Sequence, residues 1–193
     1  MANTSRIQGF KPVKHQTGTA WNGQANLYFI PASDGTAVYI GDVVKLAGSA
    51  DTDGVAPTVT LASAGDAVVG VVVGFLPNPD NLNVGGTGRA ASTARYVWVS
   101  DSPDTIYEAE ASNGTPAATD VGLNVNHAVG TPSSTFARSG AYLDFGTEAG
   151  TATLTFKILG FVGRPDNEVG ASAKLLVKIN NHQFGSSTGT AGV

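Results

Sequence analysis

The chain has 193 residues, no cysteine and a formal net charge of −4 at pH 7. This length suits one β-sandwich or barrel domain with extended arms, and a second large domain is not expected. The acidic balance argues against a coat that neutralises nucleic acid, and the lack of cysteine excludes disulfides, thiolate nucleophiles and cysteine-ligated metals.

Charged residues make up 13% of the chain, against about 25% in an average soluble domain. This shortage predicts that part of the surface is buried against partners. Glycine occurs 25 times and methionine once, and the good helix formers are sparse, so the composition favours strands and turns. We therefore predict an all-β fold, either an antiparallel β-barrel or a jelly-roll-like sandwich.

Residues 1–23 show neither strand nor helix periodicity and contain three cations but no acidic residue. They predict an extended basic N-terminal arm, followed by a body at residues 24–184. Residues 185–193 are dominated by Gly, Ser and Thr and predict a C-terminal tail that cannot form a core. The start of the chain has no secretory signal pattern, and the longest apolar run is too short to span a bilayer, so we expect synthesis in a cytosol.

In the first half of the body, residues 25–31 predict a strand, and residues 37–46 predict a second strand bent at Gly41-Asp42. Residues 58–61 and 68–75 flank a turn and predict a hairpin. Residues 76–93, rich in Pro and Gly, predict a long surface loop suited to a partner contact.

In the second half, residues 95–100 and 105–111 flank a Pro-containing turn and predict another hairpin. Residues 116–127 predict a turn or one helical turn, and residues 142–145 a short strand. Residues 151–159 alternate most strongly and predict a half-buried strand with Leu154, Phe156 and Ile158 on one face. Residues 174–180 predict a final strand.

Patterns typical of metal sites are weak in this chain. His15, His127 and His182 are far apart in sequence and none has a second ligand at a metal-binding spacing. Asp51-Thr52-Asp53-Gly54 resembles the start of a calcium loop, but the closing twelfth position is Ala62. We interpret this segment as an acidic turn and predict neither a metal nor a cofactor.

Catalytic patterns are also weak. Glu108 and Glu110 stand two apart on a predicted strand and face the same side, as a glycosidase pair would, but the flanking alanines offer little to desolvate or orient them. We interpret them as an exposed polar face and predict that the protein is not an enzyme. The glycines at 85–88 match neither a P-loop nor a dinucleotide fingerprint.

The aromatic residues of the predicted strands could stack on sugars or bases, but core packing is the default interpretation. Trp21 is the exception, because it sits where the basic arm meets the first strand. It could anchor the arm on its own body or on a neighbouring molecule.

Two groups of segments resemble tailed-bacteriophage head decoration and cement proteins. Residues 39–46 (YIGDVVKL) with 65–71 (GDAVVGV) look like the barrel of small decoration proteins. Residues 99–109 (VSDSPDTIYEA), together with 159–161 and 180–184, look like cement proteins.

The resemblance implies a capsid-stabilising virion protein that sits on the outer shell, bridges capsomers and is assembled in the host bacterial cytoplasm. Its expected partners are the major capsid protein and itself, as a dimer or trimer, with no nucleic acid and no membrane. The residues expected to contact the capsid or a partner are Arg6, Lys11, Lys14, Trp21, Asn81, Asn83 and Arg89.

Two other functions remain open. One is a carbohydrate-binding module or receptor-binding tail protein that uses the 76–93 loop and exposed aromatic residues. The other is a glycoside hydrolase, which would require Glu108 or Glu110 with a raised pKa in a cleft.

Overall fold

The structure is a computed structural model that describes residues 3–78, 86–133, 135–185, 188–189 and 191–192. One short 3-10 turn occurs at Ala118–Asp120. Within the described ranges, no helix has the length and apolar character needed to cross a bilayer. In chain order the strands are β1 (Lys11–His15), β2 (Asn26–Ile30), β3 (Val38–Tyr39), β4 (Val43–Ala50), β5 (Pro57–Leu61), β6 (Gly70–Phe75), β7 (Gly88–Arg89), β8 (Arg95–Ser100), β9 (Thr105–Ser112), β10 (Asn124–Ala128), β11 (Tyr142–Ala149), β12 (Phe156–Phe161) and β13 (Lys174–Ile179).

The first main sheet is a closed barrel with the strand order β2-β5-β4-β6-β8. Its pairings are antiparallel except between β2 and β5, which run parallel. Alternating strand residues fill its interior with mainly valine, as expected for a small barrel. The buried interior residues are Tyr28, Ile30, Val38, Val44, Val59, Val69, Val72, Phe75, Val97 and Val99.

The second main sheet has the strand order β1-β9-β11-β10-β12-β13, and β13 also pairs with β9. The strands β9, β11, β10, β12 and β13 therefore form a closed ring, in which each strand pairs with the next and β13 pairs with β9. Its core is richer in aromatic residues than the barrel: the rings of Phe10 and Phe156 stack with centroids 4.5 Å apart. The all-β class and the barrel are thus confirmed, whereas a jelly-roll arrangement is not.

The two sheets share a core. Val43, Val68 and Val71 come from the barrel half of the chain but pack in the same cluster as Tyr107 of β9. The buried Tyr107 hydroxyl donates a hydrogen bond to the carbonyl of Ser100 at the end of β8, over 2.9 Å. The barrel and the second sheet are therefore joined by apolar packing and by a direct hydrogen bond.

The N-terminal segment differs from the predicted extended arm. Residues Lys11–His15 form β1 and pair antiparallel with β9. Phe10 is only 2% exposed within the second core, and the Asn3 side-chain amide donates to the carbonyls of Glu168 and Ala171. Sequence periodicity missed this strand because β1 is short and bulged between Pro12 and Lys14.

Both predicted hairpins are wrong, although their strands exist. β5 and β6 each pair with β4, which lies between them, so they are not partners. β8 belongs to the barrel and β9 to the second sheet, so the turn at residues 101–104 is the crossover between sheets. In each case local turn chemistry predicted a turn correctly but carried no information about which strand lies alongside.

The strand boundaries also differ in the second half. The expected strand at 151–159 begins only at Phe156, whose side chain is buried as predicted. β10 was not predicted as a strand. The predicted tail returns to the body, since the Gly192 amide donates to the Gly150 carbonyl over 2.9 Å and the Lys157 ammonium donates to the Ala191 carbonyl over 2.7 Å.

Candidate functional site

The outer surface of the barrel carries an apolar strip where β2 pairs with β8. Because side chains alternate along a strand, the neighbours of the inward-facing Tyr28, Val97 and Val99 point outward. Leu27 lies opposite Trp98 and Phe29 opposite Tyr96 in the register of the two strands. We call the four outward residues Leu27, Phe29, Tyr96 and Trp98 the aromatic face.

The aromatic face is ordered by contacts within the chain. The rings of Phe29 and Tyr96 lie 4.9 Å apart between centroids, and the Tyr96 hydroxyl donates to Asp51 Oδ2 over 3.0 Å. Trp98 is 37% exposed. Its neighbour across the ladder in β6 is Gly74, which has no side chain to cover the indole.

Outside the part of the barrel that packs against the second sheet, an outward-facing apolar strip is unusual, because the outer face of an antiparallel sheet normally carries polar residues. Trp98 is exposed and the other three residues of the aromatic face are half-buried, and an apolar patch at the surface typically marks an interaction site. We expected the aromatic residues of the strands to pack in the core. That was right for Tyr28 and Tyr107 but wrong for Trp98 and Tyr96, because the direction of a side chain depends on the barrel register.

A second candidate surface lies on the outer side of β1, β9 and β13. There the N-terminal segment crosses β9 and leaves a groove of about 530 Å³. We call it the charged groove, and the charged residues that line it are Arg6, Lys11, Glu108, Glu110, Arg164, Asp166 and Lys174.

Glu108 and Glu110 face the same side, as predicted, but their environments differ from the predicted exposed face. Glu110 is 3% exposed, and its Oε2 accepts the Arg6 backbone N–H over 2.7 Å and lies 3.7 Å from the Lys174 ammonium. The Arg164 guanidinium lies 3.0 Å from Glu108 Oε1. The groups that orient both carboxylates are distant in sequence, so flanking residues could not reveal them.

The seven expected contact residues fall into different places. Arg6 and Lys11 are exposed at the charged groove, and Lys14 is exposed further along the same strand as Lys11. Trp21 is half-buried against its own chain, with its indole N–H donating to the Gln24 carbonyl over 3.1 Å. Asn81 and Asn83 lie outside the described residues.

Arg89 is not available to a partner, which corrects the expectation. It is 1% exposed, and its guanidinium donates to the carbonyls of Pro31 (2.8 Å), Asp34 (2.7 Å), Thr36 and Thr93 (2.6 Å). A buried cation needs such partners to offset its desolvation. Arg89 therefore ties the loops at one end of the barrel together.

The histidines do not come together. His127 is buried in the second core, where its Nε2 lies 3.2 Å from the Ala62 carbonyl and its ring meets Phe10 and Phe156 edge-on. Burial lowers the pKa of His127 below its usual range. In the part of the chain that the structure describes, no three His, Asp or Glu side chains form a group that could hold a metal ion.

The acidic turn at residues 51–54 closes the hairpin between β4 and β5. Asp51 Oδ1 accepts the backbone N–H groups of Val55 and Ala56 over 2.8 and 3.1 Å. This is the role expected of an aspartate that caps turn amides. The segment is therefore explained without a calcium ion.

Comparisons of the chain with protein-family models, curated proteins and solved structures give no match.

Proposed function

We propose that this protein is a virion structural protein that binds the outer surface of a tailed-bacteriophage capsid through the aromatic face and bridges neighbouring capsomers. The observation that carries the proposal is the outward pairing of Leu27 with Trp98 and of Phe29 with Tyr96 on a closed barrel. Such a surface suits a protein partner, because aromatic residues supply most of the buried contact area in many interfaces.

Two further observations favour a capsid as the partner. The segments at 39–46 and 65–71 that resemble decoration proteins belong to the barrel half of the chain, as the aromatic face does. The charged fraction of only 13% also suits a protein that works in a crowded shell of identical copies. Since each copy contacts the shell, contacts of modest strength add up over the whole head.

The mechanism differs from a clamp made by free arms. Residues 3–23 contribute β1, and Phe10 lies in the core, so removing them would damage the body itself. The proposed contact is instead made by a preformed, rigid sheet surface. Binding to such a surface orders few side chains and therefore loses little conformational entropy.

The test is co-sedimentation of the purified protein with capsids that lack it, together with the temperature at which the heads release DNA. Trp98→Ser should weaken shell binding at least about tenfold, as expected for an aromatic residue at the centre of an interface, and should lower the release temperature. Phe136→Ser is the matched control, because Phe136 is 73% exposed and lies outside the aromatic face. It should bind like the wild type.

Three results would contradict the proposal. The first is no binding of the wild type to capsids. The second is equal loss of binding in the Trp98 and Phe136 variants. The third is a change of self-association in Trp98→Ser, measured by sedimentation velocity, without any change in capsid binding.

A further inference from the structure

The part of the chain that forms the barrel is acidic. Residues 24–100 contain six aspartates but only three cationic residues, Lys45, Arg89 and Arg95. Arg89 and Arg95 are 1% and 5% exposed, and the Lys45 ammonium lies 2.7 Å from Asp66 Oδ2. Among the barrel residues that the structure describes, no cation is therefore both exposed and unpaired.

Carboxylates from two turns border the aromatic face. In the turn between β4 and β5, Asp51 Oδ2 accepts the Tyr96 hydroxyl over 3.0 Å. That hydrogen bond, desolvation and the negative charges of Asp51 and Asp53 raise the pKa of Tyr96, so Asp53 also lies close to the face. In the turn after β8, Asp101 accepts the side-chain amide of Asn26 over 2.9 and 3.0 Å, where β2 begins.

The charges of these three carboxylates are not neutralised within the chain. Asp51 accepts backbone N–H groups and a tyrosine hydroxyl, and Asp101 accepts a side-chain amide and a tyrosine hydroxyl. Such neutral donors hold a carboxylate in place and favour its ionised form. Asp53 is exposed, and none of the three forms a salt bridge with any described residue.

The aromatic face is therefore an apolar strip with a negative border. Protein interfaces commonly combine an apolar centre with a polar rim, and the two partners present complementary potentials across that rim. An anionic partner, such as nucleic acid or an acidic protein surface, would be repelled. A partner with lysine or arginine side chains around an apolar centre is matched to both parts.

We propose that the capsid surface that takes the aromatic face presents an apolar patch bordered by lysine or arginine side chains. The inference rests on the proposed function and adds the chemistry of the shell site. Trp98 makes the apolar contact at the centre, and the partner's cations lie opposite Asp51, Asp53 and Asp101. Charge attraction speeds association and is screened by salt, so the charged border should make binding salt-dependent.

The test is the rate at which the full-length protein associates with capsids that lack it. The salt concentration is raised from about 0.01 to 1 M NaCl, which shortens the Debye length from about 30 to 3 Å. The association rate of the wild type should fall at least about tenfold over this range. Asp53→Lys should lower the rate at low salt at least about fivefold and flatten its salt dependence.

The matched control is Asp166→Lys, which makes the same change in charge at a side chain that is 73% exposed on the second sheet. It should associate almost like the wild type. If Asp53→Lys lowers the melting temperature, Asp53→Asn serves instead and should have a smaller effect in the same direction. Trp98→Ser should weaken binding at every salt concentration but keep the salt dependence of the wild type.

The outcomes separate this inference from the proposed function. Capsid binding that does not respond to salt, or that Asp53→Lys and Asp166→Lys change equally, overturns the inference and leaves the proposed function standing. Faster association of Asp53→Lys also overturns it, because the shell site would then be acidic. So does altered self-association of Asp53→Lys without altered capsid binding, since the occupant would be a second copy. If the wild type binds capsids at no salt concentration, the proposed function fails and the inference fails with it.

Discussion

The barrel and the second sheet both bury apolar residues of their strands, but their outer surfaces differ in chemistry. The outer side of the barrel carries the apolar pairs Leu27–Trp98 and Phe29–Tyr96. The outer side of β9 carries Glu108 and Glu110 in a groove lined by cations. One shared core therefore supports an apolar surface on the barrel and a groove of mixed charge on the second sheet.

The interiors differ as well. The barrel interior is mainly aliphatic, and the buried Arg89 fastens the loops at one end. The second core is built on the Phe10–Phe156 stack with His127 beside it. Stability should consequently depend on loop hydrogen bonds in the barrel and on aromatic packing and pH in the second sheet.

The largest effect is expected for Phe10→Ala. This change removes a ring stacked 4.5 Å from Phe156 in the second core, and truncating a buried phenylalanine typically costs about 4 kcal/mol. The free energy of unfolding in urea measures the loss. Phe136→Ala is the control, since that side chain is 73% exposed and its removal should cost less than about 0.5 kcal/mol. Equal, small effects of both changes would mean that residues 3–23 are a free arm after all.

Arg89→Met should cost about 3 kcal/mol, because the variant leaves several buried carbonyl groups without a donor. The side-chain volume is similar, so the loss reports hydrogen bonds more than packing. Arg138→Met, at an exposed arginine, is the control and should change the free energy of unfolding little. If Arg89→Met leaves the free energy of unfolding unchanged but weakens capsid binding, Arg89 is a partner contact instead.

The second sheet should lose stability in mild acid. Burial lowers the pKa of His127 below its ordinary value of 6.5, and burial lowers the pKa of His182 in the same direction. Below about pH 6.5 the unfolded chain binds protons that the folded chain does not, so stability falls as pH falls, by up to about 1.4 kcal/mol per pH unit for each histidine.

His127→Gln should flatten this dependence when the free energy of unfolding is measured between pH 5 and 7.5. Burial raises the pKa of Asp42, so its contribution to the free energy of unfolding increases as the pH falls. That contribution is the same in the wild type and the variant and cancels when the two are compared. An unchanged slope in the variant would show that His127 binds protons equally in the folded and unfolded states, so that burial does not lower its pKa.

The smallest effect is expected at the junction of the two sheets. Tyr107→Phe removes the hydroxyl that donates to the Ser100 carbonyl and should cost about 1 kcal/mol. Because Val43, Val68 and Val71 still pack with the second core, we expect one unfolding transition by circular dichroism and by tryptophan fluorescence. Two separate transitions in the wild type would show that the barrel and the second sheet fold independently.

The candidate sites were only partly readable from the sequence. The pairing of Glu108 and Glu110 on one side of a strand follows from the two-residue period. The burial of Glu110 does not, because Arg6 and Lys174 approach it from segments that are distant in the chain. Likewise, no local pattern shows whether Trp98 points into the barrel or away from it.

The sequence by itself determined the all-β class, the positions of most strands and turns, and which face of β12 and β13 is apolar. These features depend on side-chain alternation and turn chemistry within a few residues. Only the tertiary structure decided that β4 separates β5 from β6, that the 101–104 turn crosses between sheets and that Phe10 enters the core. Which strands pair depends on how distant segments pack into a shared core, and no local sequence pattern shows that pairing.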